Sequence, residues 1–176
     1  FYHVLFFGSA ALRSQGTLDH DSTSLFAQAD YELAPNIFLT LGGRYTWEEK
    51  SAENASFSDC VSTGSDLACN LSDSGSEKWG NFTPKVGLSW QASDDLLLFA
   101  SYTQGFRSGG YNIRTTSDTE SAGPYDEEEV KAYEAGIKST FLDGKARVNA
   151  AVFYNEYSDL QRTRSVGIQN FIDNVA

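Results

Sequence analysis

The sequence predicts an all-β fold, an antiparallel up-and-down meander forming part of a membrane-spanning β-barrel. Three observations predict it: alternation of apolar and polar residues over six segments, short turns within each pair and long polar loops between pairs, and aromatic residues gathered at both ends of the strands. Side chains alternate between the two faces of a strand, so a period of two with one apolar set marks a sheet that buries or greases one face only. The six strands are expected near 24–33, 37–49, 80–92, 96–105, 130–141 and 145–157.

In the first pair, Leu25, Ala27, Ala29, Tyr31 and Leu33 alternate with Phe26, Gln28, Asp30 and Glu32 before Ala34-Pro35-Asn36. Folding about a three-residue turn sets Leu33 opposite Ile37, Tyr31 opposite Leu39 and Leu25 opposite Tyr45, so both apolar sets share a face. In the second pair, a turn at Ser93-Asp94-Asp95 matches Ala92 with Leu96, Trp90 with Leu98 and Val86 with Tyr102. Pro84 cannot donate to a ladder and is expected to mark a bulge. In the third, Asp143-Gly144 is a type I′ signal. It places Tyr133, Ala135, Ile137 and Ser139 against Tyr154, Val152, Ala150 and Val148, with Lys138 facing Asn149 and Thr140 facing Arg147.

The opposite face then carries Gln28, Asp30, Glu32, Arg44, Lys85, Glu134, Lys138 and Arg147, the expected polar wall of a barrel interior. Tyr45, Trp47, Tyr102, Tyr133 and Tyr154 lie toward the long loops, and Trp90, Tyr31 and Phe141 near the short turns, as interfacial girdles would. Aromatics in a soluble sandwich core would give the same composition, but not the loop asymmetry. No stretch approaches the roughly 18 continuous apolar residues of a membrane helix, whereas a barrel strand crosses with about 9–11 alternating ones.

A formal charge of −11, with Lys and Arg unclustered, argues against nucleic acid as a partner. The opening Phe1-Tyr2-His3-Val4-Leu5-Phe6-Phe7 lacks the basic leader of a signal peptide and reads as a strand end entering a loop. Six strands are too few to close a barrel, whose smallest form has about eight. An open sheet in lipid would expose unpaired N–H and C=O groups, so the chain reads as a fragment.

The loop from about Lys50 to Lys78 holds both cysteines, Cys60 and Cys69, and their spacing in an exported loop suggests a local disulfide. No His or second Cys pair accompanies them, so no metal site is expected. The loop from Phe106 to Glu128 carries Arg107, Tyr111, Asn112 and Arg114 as ligand-facing candidates. The run Asp126-Glu127-Glu128-Glu129 matches no calcium loop and reads as solvated, and Gly105-Phe106-Arg107-Ser108-Gly109-Gly110 lacks the lysine of a phosphate loop. His3 and His20 are the only histidines and fall in the first twenty residues, which read as irregular, and this leaves no catalytic arrangement and no cofactor to expect.

A resemblance adds to this reading. Leu25-Phe26-Ala27-Gln28 leading to Leu39-Thr40-Leu41-Gly42-Gly43-Arg44-Tyr45, then Phe82-Thr83-Pro84-Lys85-Val86-Gly87-Leu88, then Phe99 to Gly110 (FASYTQGFRSGG), resemble the barrel of TonB-dependent outer-membrane receptors. Tyr133-Glu134-Ala135-Gly136-Ile137-Lys138-Ser139, Asn149 to Tyr154 and Tyr157-Ser158-Asp159-Leu160-Gln161 continue it in order from about Asp21 to the end.

The resemblance implies that residues 1–176 are part of a barrel of about 22 strands, with a plug and further strands supplied elsewhere. It also implies residence in the outer membrane of a Gram-negative bacterium. The activity implied is uptake of a scarce nutrient, a ferric siderophore first, cobalamin or an oligosaccharide next, driven by the TonB complex. The alternatives are a passive porin or structural barrel, which would lack a plug, and a soluble secreted β-sandwich binding module, which would need no detergent.

Overall fold

The computed structural model describes residues 2–7, 10–55, 60–63, 66–69, 73–113, 123–166 and 169–175. Eleven strands run in chain order: β1 Tyr2–Phe7, β2 Ala10–Ala34, β3 Ile37–Ala55, β4 Cys60–Thr63, β5 Asp66–Cys69, β6 Asp73–Ser93, β7 Leu96–Arg107, β8 Glu128–Phe141, β9 Ala146–Ser158, β10 Leu160–Val166 and β11 Gln169–Val175. β1, β2, β3, β6, β7, β8 and β9 form one antiparallel meander in that order, while β4–β5 and β10–β11 are separate hairpins. All six expected strands are present, no helix occurs among the described residues, and β1 and β9 leave the sheet unclosed.

The registers match the hydrophobic pattern away from the turns. Tyr31 faces Leu39, Leu25 faces Tyr45, Trp90 faces Leu98 and Val86 faces Tyr102. The third hairpin matches at every expected pair, and Asp143 and Gly144 both take positive φ, 54° and 84°, as a type I′ turn requires. At the first two turns the expectation is corrected. Ala34, not Leu33, pairs with Ile37, and Ser93, not Ala92, pairs with Leu96, because each turn has two residues and a one-residue bulge falls at Leu33 and at Ala92. Asn36 takes φ 65° after Pro35, the pattern of a type II turn.

Pro84 is a second correction. It pairs with Gly43 in an unbroken β3–β6 register, so no bulge forms there. Instead the β6–β7 ladder stops one residue away, at Lys85 opposite Thr103, leaving the donorless proline on the side where β6 has no neighbour. The strands also run further than expected. β2, β3 and β6 continue as a paired ribbon through residues 10–21, 48–55 and 73–81, so the opening segment and the presumed loop ends are strand.

Rows of paired residues define two faces. One carries Ala29–Leu41–Val86–Tyr102–Tyr133–Tyr154 and Tyr31–Leu39–Leu88–Ala100–Ala135–Val152 across six strands. Its large side chains are exposed, with Val152 at 73% and Leu41 at 50%, so none of the described residues covers this apolar face. Tyr102, Tyr133 and Tyr154 pack in a row along it, their rings tilted by 45° and 34° with centroids 5.1 and 6.2 Å apart.

The other face brings Gln28, Asp30, Glu32, Arg44, Lys85, Glu134, Lys138 and Arg147 together, joined by Thr40 donating to Asp30 and by Lys85 Nζ reaching Gln28 Oε1 at 3.5 Å across Gly42. Phe26, Phe38, Phe99 and Phe153 are interspersed among them, so the face is mixed rather than uniformly polar.

In the β4–β5 hairpin Cys60 is directly opposite Cys69; their side chains lie outside the described residues. Directly opposed residues have Cα atoms about 4.5–5.5 Å apart, within disulfide reach. We expect the pair to be oxidised, which an intact mass under alkylation without reductant would show; two alkylated thiols would refute it.

Candidate functional site

Where β6 loses β7, a strap made of residues 108–113 and 123–127 fills the gap and lies over the mixed face of the ribbon. The reason is visible in the parity. The rows Ser22–Glu48–Trp79, His20–Lys50–Glu77 and Leu18–Ala52–Gly75 belong to the same face as Gln28 and Lys85, and the strap contacts those rows. The two arms of the strap are tied by a bridge between Gly110 and Tyr125, with N···O distances of 3.1 and 2.8 Å.

Small residues allow the approach. A Cβ on Gly109 would lie 2.1 Å from the Tyr125 carbonyl oxygen and 2.7 Å from Trp79 Nε1, and one on Gly75 would strike the Tyr111 ring. Ser108, Gly109 and Gly110 are accordingly buried, with Ala52 and Thr46 beneath.

Lys50 organises the first arm. Its Nζ donates to Ser108 Oγ at 2.7 Å and to the Gly109 carbonyl at 2.6 Å, lies 3.9 Å from Glu48 Oε2, and sits 5.4 Å from the Trp79 ring centroid. Ser108 Oγ in turn donates to Glu48, whose carboxylate also meets His20 Nε2 at 3.1 Å. Lys50 lies beyond the aromatic girdle; burial lowers its pKa, Glu48 opposes that, and Arg107 adds to the lowering.

The second arm is held by amides. Gln161 Nε2 donates to the Ser108 and Asp126 carbonyls at 3.0 Å each, and its backbone N–H donates to Glu128 Oε2 at 2.8 Å. Asn174 accepts from Asp126 N at 2.7 Å and donates to the Asp126 and Asp159 carbonyls. Asn81 Nδ2 donates to Glu129 and Glu127.

The ligand-facing candidates separate. Arg107 is exposed at the end of β7 and its charge is felt at Lys50 and Tyr125. Tyr111 is half-buried against Gly75, and burial followed by the Glu77 carboxylate raises its phenol; burial also raises Tyr125, which Arg107 opposes. Asn112 is committed elsewhere, since its amide exchanges two hydrogen bonds with the backbone of Ile172, 3.1 and 2.8 Å, as a strand residue would. Arg114 lies outside the described residues.

The acid run is not simply solvated, contrary to expectation: Glu127, Glu128 and Glu129 are partly buried and hydrogen-bonded. Lys50, Trp79, Asn81, Gln161 and Asn174 were not singled out by sequence, because their partners are distant in the chain. Among the described residues no cluster of three metal-ligating side chains occurs.

Comparison with known proteins gives the family. Residues 5–176 match the family model described as TonB dependent receptor-like, beta-barrel. The ferric-pyoverdine BN7/BN8 receptor of Pseudomonas putida is 29% identical over 168 residues, 88% of this chain and 19% of that protein. The metal-pseudopaline receptor CntO of Pseudomonas aeruginosa is 36% identical over 73 residues, 41% of this chain and 9% of that protein. This chain therefore spans less than a fifth of the length of these relatives.

Among solved structures, the ferric yersiniabactin uptake receptor FyuA from Yersinia pestis superposes with a TM-score of 0.75 at 18% identity, over 91% of this chain and 24% of that one. The siderophore receptor PiuA from Acinetobacter baumannii gives 0.58 at 22% identity, over 82% and 20%. These two show the fold. The unclosed seven-strand meander, its uncovered apolar face and the family match over nearly its whole length agree, and the chain belongs to the TonB-dependent receptor-like β-barrel family, a family of receptors rather than enzymes.

Proposed function

We propose that this chain is a portion of the wall and outer mouth of an outer-membrane receptor that imports a scarce nutrient, a ferric siderophore in the first place. The observation that carries the reading is the strap. It is packed on the mixed face, at the long-loop end, so in a closed barrel it hangs over the lumen rather than outward. The apolar face meets lipid, and Gln28, Asp30, Glu32, Arg44, Lys85, Glu134, Lys138 and Arg147 face the interior. Tyr111, Tyr125 and Arg107 give the strap an aromatic and cationic surface suited to an anionic or catechol-bearing complex. The relatives named for ferric pyoverdine and metal pseudopaline support that ligand class.

Import would draw energy from the TonB complex of the inner membrane, through a region of the intact protein beyond this chain. No catalysis, cofactor or nucleic acid is involved.

The test is uptake of radiolabelled ferric siderophores, pyoverdine-type and others, by cells with and without the intact receptor. We expect saturable uptake that disappears when TonB is deleted. Uptake that is linear in concentration and independent of TonB would instead establish a passive porin.

A further inference from the structure

One amide meets two carboxyls where the strap joins β6. Asn81 is 7% exposed, and its Nδ2 donates to Glu129 Oε1 at 2.9 Å and to Glu127 Oε1 at 3.4 Å. Two buried oxygens of this group, Asn81 Oδ1 and Glu127 Oε2, have no donor among the described residues. Gln104 Nε2 reaches Glu129 Oε2 at 3.4 Å, and no Lys or Arg among the described residues forms an ion pair with either carboxyl.

An ionised Glu127 would be a partly buried charge beside Glu129 and Asp126, with its Oε2 and Asn81 Oδ1 both lacking a donor. One proton removes both defects. A primary amide and a carboxylic acid are complementary: the acid carbonyl accepts the amide N–H while the acid O–H donates to the amide oxygen.

The geometry points to Glu127 as a neutral carboxylic acid whose O–H donates to Asn81 Oδ1, a two-bond acid–amide latch that fastens the 123–127 arm of the strap to β6 and opens when the proton leaves to water. The charged and polar groups facing this latch are Asp126, Glu128 and Glu129 on its own segment and Gln104 and Arg107 on β7. Lys131, opposite Gln104 on β8, and Gln161 on β10 follow, and β3 contributes Thr46, paired with Asn81 and flanked on the same face by Arg44 and Glu48. Arg107 is paired in register with Glu128, which also accepts from Gln161.

Glu127 lies outside the spanning segments, and burial, reinforced by Glu129 and Asp126 and opposed by the Asn81 bond, raises its carboxyl. The sign follows. The fastened arm holds the proton more tightly than the open arm, so the latch is at full strength at acid pH. It weakens as pH rises from the ordinary carboxylate range through the raised value.

Hydrogen exchange of the intact receptor in detergent tests this without any ligand. Amides of 123–128, corrected for intrinsic rates, should lose protection between about pH 5 and pH 8, by a factor equal to the ratio of the carboxyl's acid constants in the open and fastened arms. Glu127→Gln keeps both bonds through its own amide, so it should show the acid-pH protection at both values. Asn81→Leu should show low protection at both. Equal wild-type protection at the two pH values, or a Glu127→Gln receptor that keeps the wild-type slope, would overturn the latch. So would protection at acid pH that a chelator removes, since a cation rather than a proton would then hold the pair. Should Asn81→Leu fail to assemble, the infrared band of a protonated carboxyl, lost in Glu127→Gln, decides alone.

Discussion

Gly109→Ala is expected to lift the strap off β6 and to remove ligand binding while leaving the barrel wall intact. The added Cβ would sit 2.1 Å from a backbone oxygen, that of Tyr125, which cannot swing away as a side-chain tip could. Relief requires parting Gly110 from Tyr125, at the cost of two backbone hydrogen bonds, and moving the Gly109 carbonyl from Lys50 Nζ, which strands a half-buried ammonium. Each neutral bond contributes about 1 kcal/mol and the overpacking adds a further 1–3 kcal/mol, so the closed strap should lose about 3–5 kcal/mol. That is roughly a 150- to 5,000-fold shift toward the open form.

The measurements are limited proteolysis within 107–128 and the Kd for the ferric siderophore, with heat-modifiable gel mobility as the control for assembly. Mobility should not change, because none of the seven-strand ladder passes through Gly109. Wild-type protection in the variant would mean that the strap is not held where Gly109 meets Tyr125.

Much of the sheet was legible in the sequence because one face is apolar over every spanning strand, and a slip of one residue would bury Gln28 or Lys85 in lipid. The turns were less legible for a definite reason. A three-residue turn and a two-residue turn with a one-residue bulge give the same register beyond the turn, so Tyr31 meets Leu39 either way, and only the fates of Leu33 and Ala92 differ. The ribbon was missed because Glu48, Glu49, Lys50 and Ser51 meet no lipid. Such strands carry no hydrophobic period, and what joins them is the backbone ladder with polar cross-strand pairs such as Glu49–Lys78 and Ser51–Ser76.

The site was legible only in part. Arg107 and Tyr111 stood out as charged and aromatic residues in a long loop, but the groups that position them act across 33 to 60 residues, as with Gln161 on Glu128 and Lys50 beneath Gly109. The acid run looked solvated because its neighbours in sequence are other acids, whereas the group that accommodates it, Asn81, arrives from β6.

A pair of arginine substitutions at adjacent residues should separate by the largest margin of any in the wall. Leu41 lies on the apolar face, between Ala29 and Val86 and near the middle of the span from the Pro35-Asn36 turn to Trp47. Leu41→Arg places a guanidinium near the bilayer midplane and should cost about 2–4 kcal/mol of barrel stability. Thr40 points the other way, directly opposite Asp30, to which its hydroxyl now donates. Thr40→Arg exchanges that bond for an ion pair in the watery interior and should change stability by less than about 1 kcal/mol. Denaturant midpoints of the intact receptor in lipid vesicles measure both. If Leu41→Arg were tolerated and Thr40→Arg were not, the apolar face would be a water-facing surface and the face bearing Gln28, Asp30 and Lys85 the buried one, and the membrane-spanning reading would fall with that reversal.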